Sequence, residues 1–206
     1  MGRIQKKITR LLLSFILTGT SFMAFSGGEA LYKSCIACHG VNGEGNKALH
    51  SPKLAGQPSW YLIRQLENFQ NNYRGSNAAD TYGLQMAPMA KLLESKQDIA
   101  QVAQYISSLP SKKLSPQASS SYESGYRHYQ AKCGACHGGS GEGNKSFNAP
   151  RIAGQHLGYL KRQMAHFKKG IRGYHKQDKY GRQMAMMSRV VTDKELADIL
   201  AYVSKL

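Results

Sequence analysis

The sequence predicts an all-α protein built from two tandem copies of one helical unit. The sequence repeats at a constant offset of 98 residues, and about half of the positions between Cys35 and Met89 are identical to their partners. Apolar residues recur at helical spacing in both copies, and no alternating β-branched run lies beside the shared motifs. Each copy is therefore expected to form one helical domain.

The first 26 residues lie outside the repeat and have the features of a secretory signal peptide. Residues 1–10 carry four basic and no acidic side chains, residues 11–25 are mostly apolar, and Ala24 and Ser26 supply small residues that a signal peptidase reads. An uncleaved membrane anchor is the alternative, but about 15 apolar residues fall short of the roughly 20 that a spanning helix needs. We expect cleavage near Ser26 and export to the periplasm.

The remaining chain divides into two predicted domains and a linker. The domains cover 27–110 and 122–206, and the polar segment 111–121 joins them. Each domain alone has little apolar material for a core. We expect a bound cofactor to complete both cores.

Three helices are predicted in each domain. A short helix precedes each cysteine motif, at 29–34 and 123–131. A middle helix follows from the apolar spacing of Leu62, Leu66 and Phe69, and of Leu160, Met164 and Phe167. A closing helix begins with capping-box spacing, at Ser95 with Asp98 and at Thr192 with Glu195. Its predicted core faces are Ile99, Val102, Ala103 and Ile106, and Leu196, Ile199, Leu200 and Val203.

All four cysteines lie in two copies of Cys-x-x-Cys-His. A thioredoxin-like disulfide belongs between a strand and a helix, whereas this neighbourhood is rich in Gly, Asn and Lys. A zinc ion shared by four thiolates would leave the repeated histidine unexplained. In this motif two thiols add to the haem vinyl groups and the histidine ligates the iron. The motifs predict two covalently bound haem c groups, at Cys35, Cys38 and His39 and at Cys133, Cys136 and His137.

The second axial ligand decides whether each iron carries electrons or binds a substrate. Met86 and Met184 each follow their motif histidine by 47 residues, within the shared context YGxQMA. A thioether raises the reduction potential relative to a second imidazole. We predict these two methionines as the ligands. Periodicity alone leaves Met89, Met187 and Met186 as alternatives, and a core-filling role for all of them as another.

The other five histidines show no repeat. None has a histidine at the matching position of the other copy. We interpret each as an ordinary surface or core residue: His50, His128, His156, His166 and His175.

Positive charge is concentrated in the second copy. The whole chain has a formal net charge of +16; residues 27–110 hold seven Lys or Arg against six acids, and residues 122–206 hold fifteen against six. Basic proteins often bind nucleic acid, but an exported haem protein seldom meets any. We expect acidic redox proteins as partners, with an anionic membrane surface as the alternative. Most of the following cations are expected to face water: Lys161, Arg162, Lys168, Lys169, Arg172, Lys176, Lys179 and Arg182.

The order of motifs resembles the di-haem cytochrome c4 family of bacterial electron carriers. Each Cys-x-x-Cys-His-Gly is followed by P(K/R)(L/I)AGQ, YLxRQ and QMAxM. The resemblance implies two class I cytochrome c domains related by a pseudo-twofold axis, with haem propionates close across the interface. It also implies His39 with Met86 and His137 with Met184 as axial pairs, and electron transfer toward a terminal oxidase. The spacing from Met89 to the closing helix is one residue longer than in the second copy.

A proline follows each motif histidine by 13 residues, at Pro52 and Pro150. The resemblance implies that its backbone carbonyl accepts a hydrogen bond from Nδ1 of the ligating imidazole. Such a contact would fix the orientation of the ring.

The predicted protein is an electron carrier and not an enzyme. A di-haem electron-transfer subunit of a periplasmic dehydrogenase, such as a flavoprotein sulfide dehydrogenase, would share its motifs and export signal. A di-haem peroxidase would need a displaceable ligand, and the paired methionines argue against one.

Overall fold

The structure is a computed structural model that describes residues 27–111 and 123–206. The predicted signal peptide at 1–26 and most of the predicted linker at 111–121 lie outside these ranges. Among the helices described, none combines the length and apolar character needed to cross a membrane.

Both domains are helical, and the helices follow the same order. The N-terminal domain has a first helix at 27–32, a motif helix Ile36–His39, a middle helix Ser59–Gln70, a methionine helix Thr81–Ala90 and a closing helix Lys96–Ser108. Their counterparts are Glu123–Tyr129, Ala135–His137, Leu157–Lys168, Lys179–Arg189 and Asp193–Val203. The described residues form no strand and only two isolated bridges, at matched positions. The all-α prediction is confirmed.

The methionine helix corrects the predicted count of three helices per domain. Glycine and proline inside this segment, such as Gly83 and Pro88, weaken its helical propensity. The structure compensates with a buried cap: the carboxylate of Asp80 accepts a hydrogen bond from the Gly83 N–H at 2.9 Å. Asp178 caps the counterpart in the same way, also at 2.9 Å. The helix therefore forms because its cap and its packing offset the weak local preference.

The closing helices agree with the prediction. Ser95 Oγ accepts from the Asp98 N–H at 3.0 Å, and the Asp98 carboxylate accepts from the Ser95 N–H at 2.9 Å. Thr192 and Glu195 form the matching capping box. The predicted core face of the N-terminal domain packs into one cluster. In the C-terminal domain Leu196, Ile199 and Val203 pack into one cluster, and Leu200 is buried outside it.

The first and closing helices cross closely because a glycine stands at each crossing. A Cβ on Gly28 would collide with the backbone carbonyl of Gln101, and a Cβ on Gly125 would collide with that of Asp198. The absence of a side chain lets the two helix backbones approach. This crossing holds the start and the end of each domain together.

A tyrosine next to each motif shows how the fold absorbs a one-residue insertion. Tyr32 lies three residues before its motif and Tyr129 lies four. Their hydroxyls nevertheless donate to equivalent carbonyls, Gly40 O at 2.7 Å and Gly138 O at 2.5 Å. The extra residue is taken up by a π-helix at Gln130–Gly134, where the N-terminal domain has a 3-10 turn. Tyrosine and motif thus keep the same relation in both domains.

The two domains meet through matched pairs of hydrogen bonds. The Arg64 guanidinium donates to the backbone carbonyl of Asn148 at 2.7 Å, and Arg162 donates to that of His50 at 2.7 Å. Both acceptor residues adopt the left-handed backbone conformation, with φ of 54° and 56°. Each contact is the counterpart of the other at the repeat offset, which confirms the predicted pseudo-twofold arrangement.

Candidate haem-binding site

Each cysteine motif forms one helical turn. Cys35 ends the 3-10 turn and Cys38 lies in the motif helix, so the two thiols, three residues apart, face the same side. Burial raises the pKa of Cys35 and raises that of Cys133 to about 11. The described residues include all four cysteines, and no disulfide joins any two of them. They also contain no group of three or more His, Cys, Asp or Glu side chains arranged to hold a metal ion, which the zinc alternative requires.

The motif imidazoles are held in one orientation, and His39 is buried while His137 is partly buried. His39 Nδ1 lies 3.0 Å from the Pro52 carbonyl oxygen, and His137 Nδ1 lies 2.8 Å from that of Pro150. The hydrogen bond implied by the family resemblance is therefore confirmed. Burial lowers the pKa of both histidines, which favours the neutral ring. A neutral ring that donates from Nδ1 keeps the lone pair on Nε2 available for a metal ion.

The methionine helices present two methionines to the interior in each domain. Met86 and Met184 are partly buried, whereas Met89 and Met187 are 38% and 41% exposed. Met186 is 63% exposed and does not line the interior. Burial favours the first methionine of each pair, and the ligand assignment stays a prediction.

One continuous cavity of about 350 Å³ joins the two motifs across the domain boundary. Its wall is largely apolar and includes Phe69, Leu160 and Phe167. All eight predicted attachment and ligand residues line it: Cys35, Cys38, His39, Met86, Cys133, Cys136, His137 and Met184. The structure thus brings the two predicted sets together around a shared space.

Four arginines on the cavity wall carry buried Nε donors without a hydrogen-bond partner. They form two pairs at the repeat offset: Arg64 with Arg162, and Arg74 with Arg172. An unpaired buried donor is costly, so a partner is expected there. Haem combines an apolar macrocycle with propionate carboxylates, and guanidinium donors suit carboxylates. The apolar walls, the paired thiols, the oriented imidazoles and these donors together fit haem.

A buried polar network lies between the domains beside this cavity. Arg172 donates to Gln163 Oε1 at 2.6 Å within its own domain and to Gln65 Oε1 at 2.9 Å in the other. Arg74 repeats the pattern with Gln65 at 2.7 Å and Gln163 at 3.2 Å. Tyr159 also accepts from Arg74, at 3.0 Å. The network ties the relative position of the domains to the wall of the cavity.

Two interface arginines are exceptions to the prediction that most of these cations face water. Arg172 is 7% exposed and Arg162 is partly buried, and both donate across the domain boundary. Lys168 pairs with Asp193 at 2.7 Å. The sequence gives one signal for the interface arginines. Arginine occupies the matching positions of the other copy, at Arg64 and Arg74.

Four of the five unrepeated histidines contact the other domain. His50 accepts through its backbone, His156 lies beside Gly45, His175 stacks on Tyr73 at 4.4 Å, and His166 faces Asp80. The prediction described them as ordinary surface or core residues and did not place them at the interface.

Comparison with known proteins agrees with this geometry. The cytochrome c family model matches residues 25–110 and 122–206. Cytochrome c4 of Azotobacter vinelandii is 30% identical, over 98% of this chain and all of the relative. A thiosulfate dehydrogenase electron acceptor of Thiomonas intermedia is 34% identical over 68% of this chain and 64% of the relative. The crystal structure of reduced recombinant cytochrome c4 from Pseudomonas stutzeri superposes with a TM-score of 0.71 at 27% identity, covering 88% of this chain and 98% of the other. Sequence, fold and site geometry therefore agree that the chain belongs to the cytochrome c family and, within it, to the di-haem cytochrome c4 family.

Proposed function

We propose that this electron-transfer cytochrome holds two haem c groups and carries electrons in the periplasm, in a respiratory chain that leads toward a terminal oxidase. The observation that carries the proposal is the pair of matched residue sets around one cavity, with both motif imidazoles fixed through Nδ1. Bound haem iron supplies the one-electron chemistry.

The residues of the chain have distinct roles in this proposal. Cys35 and Cys38, like Cys133 and Cys136, hold the cofactor covalently through their thiols. His39 and His137 would offer Nε2 to the iron, and Met86 and Met184 would offer a thioether. With a histidine and a methionine given to each iron, the protein would leave no ligand position for a substrate. This arrangement suits a carrier.

The haem content provides the first test. We expect the intact mass of the purified protein to exceed the polypeptide mass by two haem groups, because each motif supplies its own pair of thiols. The colour should stay with the protein in acid acetone. A mass increase of one haem, or extraction of the colour, would contradict the proposal.

The basic C-terminal domain is proposed to dock an acidic redox partner. Between residues 157 and 189 the sequence has one acidic residue, Asp178, and its side chain is buried. Six cations there are exposed: Lys161, Lys169, Lys176, Lys179, Arg182 and Arg189. Exposed like charges that outnumber the nearby acids create a field that steers an oppositely charged partner.

Reversing these charges should slow electron delivery in a salt-dependent way. We expect Lys169→Glu with Lys176→Glu to lower oxygen uptake by membranes of the source bacterium roughly tenfold at low salt, with the reduced cytochrome as donor. The difference should shrink above 0.1 M salt, where the Debye length is about 10 Å. Lys33→Glu with Lys96→Glu makes the same charge change on the N-terminal domain and serves as the control. Equal rates for both pairs at all salt concentrations would contradict docking on this face, and sedimentation with anionic vesicles would point to a membrane surface instead.

The second candidate function is that of an electron-transfer subunit of a periplasmic dehydrogenase. The similarity to a protein named a thiosulfate dehydrogenase electron acceptor supports it. A subunit should co-purify with a larger dehydrogenase, whereas a free carrier should elute alone in size-exclusion chromatography and remain fully active.

A further inference from the structure

The pseudo-twofold symmetry of the interface is broken at one buried position. Residue 166 is a histidine and its counterpart is Asn68, and both side chains are buried. Their backbones are equivalent: the Asn68 carbonyl accepts from the Arg74 N–H at 3.1 Å, and the His166 carbonyl accepts from the Arg172 N–H at 3.2 Å. The two positions thus occupy the same place in each domain, and only one of them can bind a proton.

The imidazole of His166 faces a carboxylate of the other domain. His166 Nδ1 lies 3.5 Å from Asp80 Oδ1, and Asp80 is the buried cap of the helix that carries Met86. On the matching side Asp178 caps the other methionine helix, and the residue that matches His166 is Asn68, whose Nδ2 has no hydrogen-bond partner. His166 Nδ1 also lacks a well-formed hydrogen bond. The interface therefore contains an imidazole and carboxylate pair on one side of the pseudo-twofold axis.

The charged groups around His166 have opposite effects on its protonation. Arg162 on its own helix, Arg172 after that helix and Arg74 of the other domain disfavour a second positive charge, whereas Asp80 favours one. Burial has the largest influence, and the net result is a pKa below the usual value. The ring is therefore neutral at pH 7 and gains its proton at acidic pH.

We propose that His166 is a positioning residue for electron transfer that binds a proton more tightly when the protein is reduced, acting through Asp80 at the start of the Met86 helix. The proposal rests on the proposed function, because it requires bound haem. One electron from the redox partner reduces an iron, and a proton from solvent binds Nδ1 of His166. No covalent bond to the cofactor forms or breaks.

The coupling follows from charge. Asp80, Arg74 and Arg172 line the cavity, so a proton on His166 adds positive charge beside the cavity wall. Positive charge there favours the reduced iron, and linkage requires that reduction raise the proton affinity of His166 by the same factor. The reduction potential should therefore rise as the pH falls through the pKa of His166, below about 6.5. A tenfold change in proton affinity corresponds to about 59 mV for one electron.

The direct test uses the wild-type holoprotein. The ring resonances of His166 should titrate in NMR spectra with a proton affinity roughly three- to tenfold higher in the fully reduced protein than in the oxidised protein. Equal values in the two states would overturn the proposal. Haem content and the sulfur–iron absorption of the same sample report separately on the proposed function.

Matched variants test the same coupling through the potentials. H166N installs the residue that the other domain already has, so it is expected to fold and to reduce the pH dependence of the mean potential between pH 5 and 7. N68H places an imidazole at the position that matches His166 in the N-terminal domain and should increase that dependence. H128N removes an imidazole outside the interface, near Glu195 and Asp198, and should leave it unchanged. Wild-type pH profiles in both H166N and N68H would overturn the proposal.

Discussion

Replacing Met184 with alanine is expected to remove the sulfur–iron charge-transfer absorption of one haem and to lower its reduction potential by on the order of 0.1 V. A thioether favours the ferrous state, and its loss leaves the iron with one protein ligand or with a harder donor such as water. Met184 is the partly buried methionine of its helix, and it lines the cavity. Near-infrared spectra of the ferric protein and a redox titration measure both effects. The other haem should keep its absorption.

The neighbouring methionines are the matched controls. Met187→Ala removes a thioether one helical turn later, and Met186→Ala removes one that is 63% exposed. Both should keep the absorption of two haems. Loss of one band in Met187→Ala, with two bands retained in Met184→Ala, would assign the ligand to Met187. The pair Met86→Ala and Met89→Ala repeats the comparison in the N-terminal domain.

Replacing Arg172 with alanine is expected to reduce the free energy of unfolding by about 3 kcal/mol, because it removes charged hydrogen bonds to acceptors in both domains. The guanidinium donates to Gln163 and Gln65, and it lies 4.6 Å above the Phe167 ring. Removing it leaves Arg74 as the remaining arginine donor to both amide oxygens and opens a space beside the ring. Denaturant unfolding of the holoprotein, followed by circular dichroism, measures the loss.

An arginine in the same region provides the control for this variant. Arg182 is exposed on the methionine helix, so Arg182→Ala should change the free energy of unfolding by no more than about 0.5 kcal/mol. Arg74→Ala removes the symmetric partner and should resemble Arg172→Ala. An Arg172→Ala protein as stable as the Arg182→Ala protein would show that the network contributes little.

The features that the sequence determined are local. Cys38 and His39 follow Cys35 by three and four residues. This spacing alone predicts that the two thiols and the imidazole lie on one side of a helix. The capping boxes at Ser95 and Thr192 involve residues three apart, and the closing helices begin where they were predicted. The repeat adds a second copy of each pattern and identifies two domains. Motif, fold class and family could all be inferred because each depends on short-range order.

Only the tertiary structure decided what happens between the domains. In the sequence, Arg172 is one of several cations in a basic segment. In the structure it donates to Gln65, which lies 107 residues away in the sequence. The methionine helix forms against its local propensity because a buried aspartate caps it. The role proposed for His166 depends on its contact with Asp80 of the other domain. A contact across an interface depends on how two folded surfaces fit, and no pattern of neighbouring residues encodes that fit.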